Sequence, residues 1–76
     1  MSNLADYYAT KIKINQVEYI LGHRGKITDE GSFYRIDDTF IVDKCKIKKI
    51  ALNKNEIVID LDNKKIMLTV TKCREN

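Results

Sequence analysis

The 76-residue sequence has no proline or tryptophan, three glycines, two cysteines and one histidine. Each scarcity removes a class of chemistry. The three glycines form no glycine-rich phosphate loop, and no nucleophile elbow occurs. Cys45 and Cys73, spaced by 28 positions and accompanied by His23 alone, match no zinc-ligand pattern. A catalytic thiol needs a positioned base. His23 is the one imidazole available, and its "GHRG" setting reads as a surface loop. No apolar run is longer than about three residues, as at Phe40, Ile41 and Val42, so nothing reaches the length of a bilayer span. The start "MSNLADYYATK" lacks the basic end and apolar centre of an export signal.

What is present describes a small folded domain. Hydrophobic residues make up 43% and charged residues 33% of the chain, a composition far from that of a disordered segment. Residues 1–76 read as a single domain, since no linker or repeat of solenoid length interrupts them, and a core this small leaves little room for a deep active site. Fourteen basic residues stand against 11 acidic ones, giving a net charge of +3. Both signs are interspersed, which leans mildly toward acidic partners and falls short of a nucleic-acid signature. The abundance of Ile, Lys and Asn points to an AT-rich coding genome, such as that of a low-GC bacterium or its phage.

Along the chain, residues 1–10 hold a short helix or arm: Asn3 suits an N-cap, and Leu4, Tyr7 and Tyr8 have helical spacing. From Lys11 to Cys73 the period becomes two. A turn at Asn15-Gln16 sets Ile14 opposite Val17, Ile12 opposite Tyr19 and Lys13 opposite Glu18, with apolar pairs on one face and opposite charges on the other. A three-residue loop at Asp29-Glu30-Gly31 brings Ile27 opposite Phe33, and a tight turn follows at Asp37-Asp38-Thr39. A loop from Asn53 to Glu56 pairs Leu52 with Ile57 and Ile50 with Ile59. A loop from Asp62 to Lys65 pairs Leu61 with Ile66, Ile59 with Leu68 and Ile57 with Val70. Ile47 and Ile50 are out of phase, which a bulge at Lys48-Lys49 repairs. The expected fold is all-β: a meander of six to seven short strands folded into a small antiparallel barrel or sandwich.

This register places Cys45 and Cys73 at opposite ends of the sheet, too far apart for a disulfide. Both are expected as free thiols, each a small buried or half-buried hydrophobe. Lys44, Lys46 and Lys48 alternate along a strand and share a face, with Lys49 displaced by the bulge. Such a row could follow a phosphate backbone, with Tyr34 and Arg35 adding stacking. Lysines and a bulge also protect an edge strand from unwanted pairing, and this reading carries more weight. Asp60 and Asp62 lie opposite the Ile57 face and Asp37-Asp38 lie in a turn; "DLDN" lacks the glycine and distal glutamate of a calcium loop. No catalytic, metal-ligating or cofactor-binding residues are expected. The candidate binding residues are Tyr34, Arg35, Lys44, Lys46, Lys48 and Lys49.

The stretch "FYRIDDTFIVDKCKIKKIALNKNEIVIDLDNKKIMLTV" resembles the small periplasmic β-domains of the type II secretion inner-membrane coupling protein and the type IV pilus lipoprotein PilP. Tyr34, Ile36 and Asp38 match the family's tyrosine, apolar, glycine, aspartate run, with Asp37 where glycine is usual. Ile47 and Ile50 match its "I-x-x-I" strand, and Asn53 through Ile59 match its turn and following apolar strand. The resemblance implies a non-catalytic docking module whose exposed strand pairs with a partner of the secretion or pilus machine. A protein partner is thus the first expectation. The alternatives are a basic β-barrel binding nucleic acid and a phage or mobile-element protein inhibiting a host factor. No membrane insertion is expected of this chain, and its oligomeric state stays open. Free cysteines and the missing export signal favour the cytoplasm, while the resemblance implies the periplasm.

Overall fold

The computed structural model describes residues 4–21 and 25–72. It contains eight strands: β1 (Tyr7–Ile14), β2 (Val17–Ile20), β3 (Ile27–Asp29), β4 (Phe33–Ile36), β5 (Phe40–Asp43), β6 (Ile47–Leu52), β7 (Glu56–Leu61) and β8 (Lys65–Lys72). All pairings are antiparallel. Five strands form one sheet in the order β2-β1-β8-β7-β6, and β3-β4-β5 form a second. The fold is all-β, as the alternation predicts, and neither sheet closes into a barrel. A simple meander from residue 11 onward does not form. The β1–β2 hairpin instead pairs with β8, and β3 to β5 separate into their own layer.

Between the layers lies a core in which Ile12, Ile57, Ile59 and Leu68 of the large sheet meet Ile27 and Ile36 of the small one, all fully buried. Burying one such side chain contributes about 1.5–3 kcal/mol. Strict alternation makes this possible: in β8, Ile66, Leu68 and Val70 are buried, while Lys65, Thr69 and Thr71 face solvent and Met67 is half-buried. Ile59 sits between Ile50 and Ile66 on the neighbouring strands.

The N-terminal helix is reduced to a 3-10 turn at Leu4–Asp6, because Tyr7 already pairs with Lys72 and Tyr8 with Thr71. A turn or two of helix has little stability of its own, and the ladder with β8 displaces it. Where β1 crosses under the small sheet, the backbones nearly touch. The Ala9 amide donates to the Gly25 carbonyl at 2.7 Å, and Tyr8 bridges to Lys26.

Most predicted hairpin registers hold, and two do not. The Asn15-Gln16 turn, the Lys48-Lys49 bulge and the Leu52–Ile57 and Ile50–Ile59 pairs are as expected. In β7–β8, Ile57 faces Leu68 and Ile59 faces Ile66, two residues from the expected register, because the chain turns over Asp62-Asn63 with the Leu61 amide bonded to the Lys64 carbonyl. In β3–β4, Ile27 faces Ile36 and not Phe33, because the turn is made by Gly31-Ser32 and closed from the Glu30 amide to the Phe33 carbonyl. That shift is odd, so it moves Phe33 to the outer face and brings Tyr34 and Ile36 inward.

Candidate functional site

The expected lysine row does not form. Residues Lys44–Lys46 make a 3-10 turn, capped by Asp43, whose Oδ1 accepts from the Cys45 amide at 3.0 Å. An Asp before a turn satisfies its free amides in this way. The turn breaks the two-residue period, so Lys44 and Lys46 are not in line with Lys48 on β6.

Each candidate residue then has its own surroundings. Lys44 Nζ lies 2.8 Å from Asp29 Oδ1 and 4.8 Å from the centre of the Tyr34 ring. The hydrogen bond that Lys44 donates to the Asp29 carboxylate raises the Lys44 pKa above its ordinary value; partial desolvation opposes this, and the Asp29 charge and Tyr34 add to it. Arg35 is on the opposite face of β4 from Tyr34, bonded to Glu30 Oε2 at 3.1 Å and lying 5.6 Å from the Phe33 ring. Lys48, the bulge residue, stands 3.8 Å from Asp62 in an exposed pair. Such exposed pairs contribute little. Lys49 projects beside Asp60 on the outer face. Lys46 borders a groove of about 450 Å³ between β5 and the β7–β8 turn, with Val42 and Ile66 as its floor and Asp43, Asp62 and Lys64 on its rim. Tyr34 and Lys44 therefore form one small cluster, and Arg35, Lys48 and Lys49 lie elsewhere.

Cys45 is a free thiol, and it is exposed rather than buried, because the turn lifts it out of the sheet. Cys73 and His23 lie outside the described residues. Among the described residues no group of three or more His, Cys, Asp or Glu side chains could hold a metal ion, and no helix is long and apolar enough to cross a membrane.

The feature that alternation alone does not reveal is the pair of open edges of the large sheet. Among the described residues, neither β2 nor β6 has an outer neighbour. The small sheet covers the middle of the large one, so inward-pointing apolar residues on its edges stay partly uncovered: Ile50 (40% exposed) and Leu52 (42%) on β6, and Val17 and Tyr19 on β2. On β6 the hairpin is closed by the Asn53 amide bonding the Glu56 carbonyl. Antiparallel alternation then turns the amides of Lys49 and Ala51 toward β7 and those of Ile50 and Leu52 toward solvent. No family model matches the chain, and no curated protein or solved structure matches it either.

Proposed function

We propose that this chain is a non-catalytic protein-interaction module that receives an extended segment of a partner along β6. The observation that carries this reading is the solvent-facing amides of Ile50 and Leu52 beside the half-exposed side chains of the same residues. An added strand would gain backbone hydrogen bonds and an apolar strip together, which is how strand addition works. Lys48 and Lys49 precede that strip on the same strand, so the fitting segment combines apolar with acidic residues in alternation. A component of a secretion or pilus assembly is the partner class implied by the resemblance of residues 33–70. Nucleic-acid binding has less support, since Lys44 is engaged by Asp29 and the lysines form no continuous track.

Selection of random extended peptides displayed against the folded protein tests the reading. Binders should alternate apolar and acidic residues, and Ile50→Pro should abolish their binding while preserving the fold, because the lost N–H has no partner on β7. Replacing Lys48 and Lys49 with Gln should mainly slow association. Binders indifferent to Ile50→Pro would overturn the assignment. So would submicromolar oligonucleotide binding at physiological salt that is lost on changing Lys46, Lys48 and Lys49 to Gln.

A further inference from the structure

The opposite edge of the large sheet is built differently. Natural edge strands are usually guarded by lysine, proline or a bulge. β2 has none of these: its sequence is Val17-Glu18-Tyr19-Ile20, all four residues are exposed, and Ile20 is 69% and Val17 54% accessible. The apolar groups also occupy both faces, Val17 and Tyr19 inward and Ile20 outward beside Lys11. Glu18 is held by Lys11 at 3.7 Å, so the strand carries no uncompensated charge.

From these features we propose that β2 is a self-association edge, on which a second copy of this chain pairs its own β2 antiparallel about a two-fold axis perpendicular to the sheet. The backbone phase determines the register. The Leu21 amide bonds the Thr10 carbonyl, and the Ile14–Val17 pair closes the hairpin, so residues 17, 19 and 21 direct their backbone groups to β1. Glu18 and Ile20 direct theirs outward. A two-fold axis keeps each face continuous, which allows only registers pairing residues of like parity.

Centring the axis on Glu18 would set two carboxylates opposite each other, which destabilises a strand pair. Centring it on Tyr19 sets Glu18 opposite Ile20 of the second copy and Ile20 opposite its Glu18, and these pairs exchange both backbone hydrogen bonds. Tyr19 meets its own counterpart in the closely spaced, non-hydrogen-bonded position, and Val17 meets Leu21. Tyr19 is already braced from within by Phe40, whose ring centre is 5.5 Å away, so it presents an ordered surface. The two five-stranded sheets become one continuous sheet with both small sheets on the same side. β6 is guarded against the same contact: pairing its Ile50 with Leu52 of a second copy sets Lys48 against Lys54. The β2 contact is short, so the dimer is a weak one that forms at high concentration.

Sedimentation equilibrium over a wide concentration range reads the association. Ile20→Pro removes an outward N–H from both copies without touching the ladder to β1, and should weaken the dimer about tenfold or more. Ile50→Pro should leave it unchanged, which separates this edge from the docking edge on β6. In a background with Cys45→Ser and Cys73→Ser, Tyr19→Cys should be oxidised by diamide to a covalent dimer far faster than Glu18→Cys, since only position 19 meets itself. This arm stands even if the proline variant is poorly folded. A chain that stays monomeric to millimolar concentration, equal cross-linking at positions 18 and 19, or a dimer lost in Ile50→Pro but kept in Ile20→Pro would overturn the proposal.

Discussion

A Cβ placed on Gly25 would collide with the carbonyl oxygen of Ala9. The obstacle is backbone, which cannot rotate away, and the same contact carries the 2.7 Å hydrogen bond from the Ala9 amide to Gly25. Gly25→Ala must therefore push the small sheet away from β1. Overpacking of this kind costs about 1–3 kcal/mol, and the strained hydrogen bond adds about 1 kcal/mol. In a domain of this size the melting temperature should fall by about 10 °C or more, and a fall of less than about 3 °C would show that the sheets can separate without penalty. Nothing in "GHRGK" announces this role, because a glycine needed for close approach looks the same in sequence as one needed for a turn. Lys44 gives the same lesson: its partners Asp29 and Tyr34 come from other strands, so the alternation that aligned it with Lys46 and Lys48 carried no information about them.

Hairpins are the scale at which the sequence speaks most clearly, and the β1–β2 connection shows why. Asn15 and Gln16 both have left-handed backbone, with φ of 49° and 77°, the conformation a two-residue hairpin with the right-handed strand twist requires. Asn tolerates it and serves a further purpose, since its Oδ1 accepts from the Lys65 amide at 3.2 Å. Gln16 has no such compensation. Gln16→Gly should stabilise the domain by about 0.5–1 kcal/mol, the relief of left-handed strain less the extra freedom of the unfolded glycine. Asn15→Gly should instead destabilise it. Urea denaturation of the two variants gives the signs, and equal effects would remove the distinction. A turn this short pins every pair behind it, so the β1–β2 register was readable. The β7–β8 register lies two residues from the expected one because an even slip keeps Ile57, Ile59, Ile66 and Leu68 on the same face, and the pattern is blind to it. For β3–β4 the signal lies slightly further along the chain than the expected loop at residues 29–31. Gly31, with φ of 99°, is the first of the two central turn residues, and the "GS" dipeptide marks the loop.

Over the whole molecule, the alternation was enough for an all-β chain with Ile57, Ile59 and Leu68 inside, since burial on one face is a local property. Which strands become edges is decided by long-range pairing, which is why Ile50 and Leu52 read as core residues and are half exposed. The pairing of β1 with β8 is the least legible step and the most consequential. It sets Tyr7 directly opposite Lys72, a separation of roughly 5 Å between Cα atoms in an antiparallel pair. The sequence order of the elements is thus incidental to their arrangement in space. A circular permutant in which a short flexible linker joins β8 to the Leu4–Asp6 turn ahead of β1, keeping the buried Leu4, with the backbone cut between Gly31 and Ser32, should reach the same native state. The cut falls in an exposed two-residue turn whose removal leaves every buried contact in place. The permutant should unfold cooperatively with the core intact, and its β1–β8 ladder, now a neighbouring hairpin and no longer the most distant pairing in the chain, should make it refold faster.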